Sequence, residues 1–144
     1  MRQGVDVLCV GQASYDLVFS VSHHPHADEK IFAEQLRCCG GGPAANAAVM
    51  VARLGLRSAF AGYLGKDAYG EAHYQELRAE GVNTELLVWG NKPTPVSAVL
   101  VKPDGQRALI NYKGETQALP SIDLPTFKPQ VLLLDGHELS LIHI

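Results

Sequence analysis

A lone aspartate, a run of glycines and an asparagine are the residues of this chain whose types and spacing best suit the binding of a small polar ligand. Asp16 lies just past the first apolar run, where open α/β sheets bind ligands, and Gly40 to Gly42 precede a segment that contains Asn46. A carboxylate can accept hydrogen bonds from two neighbouring hydroxyls, and an amide side chain both donates and accepts them. Glycines let a ligand approach the backbone and expose amide donors at a helix start. The pattern is suited to a polyhydroxylated molecule.

The same residues also have a purely structural interpretation, and spacing alone does not decide between the two. Asp16 would then be a turn residue, the glycines a tight bend and Asn46 a solvated helix residue.

Two nucleotide motifs are excluded. The turn after Gly11 has one glycine where a dinucleotide fingerprint has three, and Gly65-Lys66 lacks the upstream glycine and the following Ser or Thr of a P-loop.

Short apolar runs alternate with helical patterns, which indicates a mainly parallel α/β sheet of the Rossmann-like kind with helices on both faces. Three runs are typical of buried strands: Val5 to Val10, Ser58 to Tyr63 and Val131 to Leu134. Ala44 to Leu54 is almost all Ala, Val, Met and Leu, so we expect a helix that is covered on most sides. Tyr69 to Glu80 mixes apolar and charged residues and predicts an exposed helix.

Four further segments predict a small separate sheet that acts as a lid over the ligand site. They are Asp16 to Ser22, Lys30 to Cys38, Val96 to Val101 and Arg107 to Tyr112. Asp104-Gly105 lies between the last two, and an Asp-Gly pair between apolar runs is a strong hairpin signal. Closing such a lid would exclude water from the ligand. Its apolar outer face would need cover, so we expect a homodimer through the lid.

The glycine-rich segment resembles the amino-terminal signature of the PfkB family of carbohydrate kinases, whose fold is ribokinase-like. The matching segments have glycines at the spacing that is typical of the family. They are Gly41-Gly42-Pro43-Ala44-Ala45-Asn46-Ala47-Ala48 followed by Gly55 and Gly65, Gly11 to Asp16, Gly65 to Gly70, and Gly81 to Thr84. The resemblance covers residues 5–138, which we interpret as the amino-terminal part of one kinase domain.

This resemblance implies transfer of the γ-phosphoryl group of ATP, with Mg²⁺, to a hydroxyl of a small sugar. It implies substrate-binding roles for seven residues of this chain: Asp16, Gly41, Gly42, Asn46, Lys30, Asn111 and Glu138. The last three would line the lid side and the strand-end side of the pocket, with His137 next to Glu138. The sequences of Gly40 to Asn46 and of Ile110-Asn111-Tyr112 resemble those of ketohexose and sulfosugar kinases more than that of ribokinase.

One departure from the family limits what this chain is expected to do. The family's Gly-Ala-Gly-Asp anion hole and its catalytic base lie in the carboxyl-terminal half, and no such string occurs here. We therefore assign no catalytic residue and expect ATP and Mg²⁺ to be cofactors of the complete protein only. The alternative is a catalytically inactive sugar-binding or regulatory protein. Residues 139–144 do not continue as the expected helix, and we interpret them as a non-native or misread tail.

Composition argues against several other classes of protein. The 144 residues carry a net charge of −3 and no basic patch, which argues against nucleic acid or an anionic membrane as partner. No secretory signal or membrane-spanning run is recognisable. Three cysteines without metal-ligand spacing fit a reducing cytoplasm and no metal site. His23, His24 and His26 are better interpreted as a polar loop than as metal ligands.

Overall fold

The computed structural model describes residues 4–115, 118–122 and 127–137. In chain order, their elements are β1 (Val7–Val10), β2 (Ser14–Ser20), β3 (Gln35–Gly41), α1 (Pro43–Arg53), β4 (Ser58–Ala61), β5 (Tyr63–Gly65), α2 (Ala68–Ala79), β6 (Val88–Gly90), β7 (Val96–Val101), β8 (Arg107–Tyr112) and β9 (Val131–Leu134).

The main sheet consists of three parallel strands in the order β4-β1-β9. Every residue of β1 is paired on both sides, for example Val7 with Ser58 of β4 and with Val131 of β9. Because the three strands are parallel, their carboxyl ends meet at one edge, where sheets of this kind bind ligands. β5 and β6 form a second, two-stranded parallel pair.

The two faces of the main sheet are covered differently. Cys9 and Phe60 face a buried cluster to which both α1 and α2 contribute, through Ala44, Ala45, Ala48 and Leu77. The opposite face carries Leu8 and Val10 and is covered by connecting segments that include Leu119. In the described ranges, both helices therefore belong to the core on one face.

Helix α1 is apolar because it packs directly on the sheet. Pro43 stands at its start, where a missing backbone N–H costs nothing, and its small alanines let the helix lie close to β1 and β4. The Ser58 hydroxyl of β4 donates to the Ala48 carbonyl at 2.7 Å. The expectation of a helix covered on most sides is wrong, since Met50 is 56% and Leu54 is 70% exposed. The sheet covers only one face of the helix.

Helix α2 is held at its amino terminus by a capping aspartate. Asp67 Oδ1 accepts the Gly70 N–H at 2.8 Å, a side-chain cap of the usual kind. The same carboxylate accepts the backbone N–H and the hydroxyl of Thr94, at 2.8 and 2.7 Å. This aspartate therefore ties the start of α2 to the segment that leads into β7.

The four predicted lid segments form one separate sheet with the order β3-β2-β7-β8. The predicted fold class, an α/β domain with a small additional sheet, is confirmed. Two boundaries were misplaced: β2 begins at Ser14 rather than Asp16, and β3 spans Gln35–Gly41 rather than Lys30 to Cys38. The shift arises because Ser14 pairs with Gly41, so the strand continues into the glycine motif.

Both helices among the described residues are too short to span a membrane.

Candidate functional site

Asp16 lies on one face of the lid sheet, near the start of β2, where the chain has just passed from β1 of the main sheet. Its cross-strand neighbours are Cys39 of β3 and Ser97 of β7, and directly opposite residues project on the same face. The Ser14 hydroxyl donates to Asp16 Oδ1 at 3.0 Å, and the aspartate is half-buried. Among the described residues, Oδ2 accepts no hydrogen bond from the protein, so the carboxylate retains accepting capacity for a ligand.

The three consecutive glycines have three different reasons to lack a side chain. A Cβ on Gly40 would overlap the ring of His73 on α2. A Cβ on Gly41 would overlap the Asp16 carboxylate, so this glycine brings the carboxylate directly against the β3 backbone. Gly42 precedes α1 with φ of +97°, a conformation that side chains disfavour, and its Cβ would meet the carbonyl of Gln12. Of the three glycines, Gly41 is the one that lies against the Asp16 carboxylate.

Asn46 lies in the first turn of α1, one turn beyond Gly42. Its backbone N–H donates to the Gly42 carbonyl at 2.9 Å, and its side chain is exposed. A groove of about 590 Å³ runs along the helix from this residue to Arg53, between α1, α2 and the edge of β3. Asn46 and Gly40 line this groove, but Asp16, Gly41 and Gly42 do not, so the structure does not bring Asn46 into one pocket with Asp16.

Asp135 is a site residue that sequence reasoning missed. It follows β9, and its Oδ2 accepts the backbone N–H groups of Gln12 at 2.8 Å and of Ala44 at 3.2 Å. Gly11 has φ of +153°, and a Cβ there would overlap this carboxylate. The amide donor that the sequence offered to a ligand at the start of α1 is thus used by the protein. An aspartate directly after a buried strand was the signal that could have identified it.

Asn111 shares the face of Asp16, because Ser97 pairs with Asp16 on one side and with Asn111 on the other. Two strand spacings separate them, which is about 10 Å. Lys30 is exposed in the β2–β3 connection, beyond the end of β2 that is distal to Asp16, with its ammonium 5.4 Å from the Phe32 ring centre. Glu138 lies outside the described residues, as does the predicted tail. The substrate-binding roles of all seven residues stay predictions.

Burial sets the ionisation of the groups around Asp16. Burial, followed by the nearby Asp16 carboxylate, raises the pKa of the Cys39 thiol. Burial and the Glu76 carboxylate raise the pKa of Tyr15, and burial lowers the pKa of His73 to about 4. His73 is therefore neutral at pH 7. In the described ranges, no three His, Cys, Asp or Glu side chains are arranged to hold a metal ion.

Comparison with known proteins matches one family along nearly the whole chain. The family model described as pfkB family carbohydrate kinase matches residues 5–141. The ribokinase of Bacillus subtilis is 31% identical over 109 residues, covering 76% of this chain and 37% of that protein. A protein of Arabidopsis thaliana named "Probable fructokinase-4" is 32% identical over 130 residues, covering 90% of this chain and 37% of that protein.

Solved structures support the same assignment. The structure of Arabidopsis thaliana ribokinase complexed with ribose and ATP matches with a TM-score of 0.76 at 26% identity, covering 92% of this chain and 45% of that one. The chain thus spans less than half the length of these relatives. Since the family model covers nearly every residue and the fold agrees, this chain belongs to the pfkB family of carbohydrate kinases.

Proposed function

We propose that this chain carries the sugar-binding part of an ATP-dependent carbohydrate kinase. The observation that carries the proposal is the contact between the Asp16 carboxylate and the backbone at Gly41, on the lid face that also carries Asn111. A half-buried carboxylate whose Oδ2 remains free to accept is suited to paired hydroxyls. The relatives that match include proteins named ribokinase and fructokinase, which supports the same function.

In this proposal, Asp16 accepts hydrogen bonds from two adjacent sugar hydroxyls. Gly41 makes room for that carboxylate beside β3, the backbone at Gly41 and Gly42 borders the sugar, and the amide of Asn46 bonds a further hydroxyl. Asn111, on the same face of the lid as Asp16 and two strands away, contacts the sugar at its other end. Together these residues would bind and orient the sugar while the lid excludes water.

The described residues do not fit a nucleotide or its Mg²⁺. They contain no P-loop, and no cluster of carboxylates suited to the cation occurs among them. We therefore derive no phosphoryl-transfer step for this chain and place ATP, Mg²⁺ and the catalytic base in the complete protein. The 144-residue chain should give no ADP release in a coupled assay with a sugar panel. Turnover of about 1 s⁻¹ or more, as kinases show, would contradict this.

The test of the proposal is calorimetry with a panel of sugars, in which we expect ketohexoses such as D-fructose to bind most tightly. Asp16→Ala should weaken binding by about 10- to 150-fold, since a hydrogen bond to a charged group contributes about 1.5–3 kcal/mol. Asp104→Ala, which removes an exposed carboxylate at the distal hairpin, is the matched control and should bind normally. Equal affinities of the wild type and Asp16→Ala would remove Asp16 from the site.

The outer face of the lid supports a homodimer. Leu36 and Ile110 lie on the face opposite Asp16 and are 58% and 69% exposed, an apolar surface that a second lid could cover. Ile110→Asp should shift the chain to monomer in analytical ultracentrifugation, whereas Leu109→Asp, on the other face, should not. A monomeric wild type would contradict the proposal.

The three free cysteines fit a reducing cytoplasm, where we place the protein.

A further inference from the structure

Helix α2 contacts the back of the lid through one row of side chains. Tyr69, His73 and Glu76 are spaced four and three residues apart and so share one face of the helix. They meet a single cross-strand pair of the lid, Tyr15 of β2 and Gly40 of β3. Tyr15 stacks on Tyr69 with ring centres 5.4 Å apart, and the His73 ring lies against Gly40.

The carboxylate of Glu76 is bonded to both members of that pair. Its Oε2 accepts the Gly40 N–H at 2.6 Å, and its Oε1 accepts the Tyr15 hydroxyl at 3.5 Å. β3 is an edge strand of the lid, so an outward-pointing amide has no neighbouring strand to receive it. Glu76 supplies the missing acceptor, and a charged acceptor makes a stronger bond than a neutral one.

The residues that follow this pair in the chain are those of the candidate sugar site. Asp16 follows Tyr15, and Gly41 follows Gly40. Because successive side chains of a strand point to opposite faces, Tyr15 faces α2 while Asp16 faces the site. Any displacement of β3 from β2 at this pair changes the contact between the Asp16 carboxylate and the Gly41 backbone, where a single added carbon would already overlap.

We propose that Glu76 is a positioning residue that sets sugar affinity through Asp16 without touching the sugar. The inference rests on the proposed function, since it requires that Asp16 binds a sugar. Glu76 fixes the spacing of the two strands from behind, so that Asp16 and Gly41 are already in their binding arrangement before the sugar arrives. Pre-arranged groups bind more tightly because ordering is not part of the binding step.

The experiment measures D-fructose and D-ribose affinity by calorimetry for the full 144-residue chain. Glu76→Ala should weaken binding by about tenfold or more, the lower end of what one charge-assisted hydrogen bond gives. Glu76→Gln keeps an acceptor for the Gly40 amide and should restore affinity to within about threefold of the wild type. Glu71→Ala, on the same helix but bonded to Gln75 at the surface, is the matched control and should bind like the wild type.

A double-mutant cycle separates positioning from general destabilisation. If Glu76 acts through Asp16, adding Glu76→Ala to Asp16→Asn should weaken binding by less than about threefold. Full additivity, or a Glu76→Ala affinity within about twofold of the wild type, would overturn the inference while leaving the proposed function intact. Sugar binding that does not depend on Asp16 would overturn both.

Amide hydrogen exchange of the wild type keeps the inference testable if Glu76→Ala does not fold. Coupling between two sites is reciprocal, so saturation with sugar should slow exchange of the Gly40 amide about tenfold. The amide of Gly105, in the distal hairpin, should exchange at an unchanged rate. An unchanged Gly40 exchange rate on saturation with a sugar that binds through Asp16 would refute the role of Glu76.

Discussion

Asp135 provides the most direct test of how the candidate site is held together. Its carboxylate joins the end of β9 to the loop after β1, through the Gln12 N–H, and to the start of α1, through the Ala44 N–H. Asp135→Ala removes the acceptor for both amides without changing any residue assigned to the sugar. We expect the main effect on the free energy of unfolding.

The size of this effect follows from the three bonds that the carboxylate accepts. The His137 N–H is exposed, so its loss to water should cost little. The Gln12 and Ala44 bonds are partly buried, and Asp135 also lies at the positive end of the α1 dipole. At about 1.5–3 kcal/mol for a fully effective bond to a charge, and less where water has access, we expect a loss of about 2–5 kcal/mol.

Urea unfolding followed by circular dichroism measures the loss directly. Asp135→Asn keeps one acceptor oxygen and should lose about half as much as Asp135→Ala. Glu115→Ala is the control, because its carboxylate is 88% exposed and pairs with the exposed ammonium of Lys92, and it should stay within about 0.5 kcal/mol of the wild type. A stability of Asp135→Ala equal to that of this control would refute the idea that Asp135 joins the three segments.

Two further predictions follow from buried groups. Burial lowers the pKa of His73 from 6.5 in the unfolded chain to about 4 in the folded chain. As the pH falls below 6.5, this imidazole therefore takes up a proton in the unfolded chain before it does so in the folded chain. The free energy of unfolding is highest above pH 6.5 and decreases as the pH falls toward 4. The loss should reach about 3 kcal/mol in urea unfolding and should disappear in His73→Gln; a pH-independent wild type would contradict it. Iodoacetamide should label exposed Cys38 first, Cys39 more slowly because its pKa is raised, and Cys9, whose pKa burial raises to about 11, only after unfolding. Mass spectrometry of the native protein would reveal any early labelling of Cys9 that contradicts this order.

The sequence was informative where a local pattern determines local structure. The Asp104-Gly105 pair predicts the β7–β8 hairpin and the apolar runs predict their strands, because each signal depends on neighbours a few positions away. Asp16 and the glycines could be singled out for the same reason. Glu76 could not, because the Gly40 N–H that it accepts comes from a distant strand and the residue types near position 76 do not indicate it. Asp135 was missed although its place directly after a buried strand indicated a site position. The boundary of β3 was misplaced for a related reason, since pairing with Ser14 extends it into glycines.

The order of strands in the lid also has a consequence for how the protein folds. Its two central strands, β2 and β7, pair in parallel although Tyr15 and its partner Val96 are about 80 positions apart in the chain. Closing so long a loop costs entropy, which the small sheet offsets only after the β1–α1–β4 unit has brought the two strands near each other. We expect the β1–α1–β4 unit to assemble first and the lid later, with φ-values near zero for substitutions in β7 and β8. During synthesis, Asp16 would then leave the ribosome long before the strands that complete its surroundings, so sugar binding would be acquired only late in the folding of the chain.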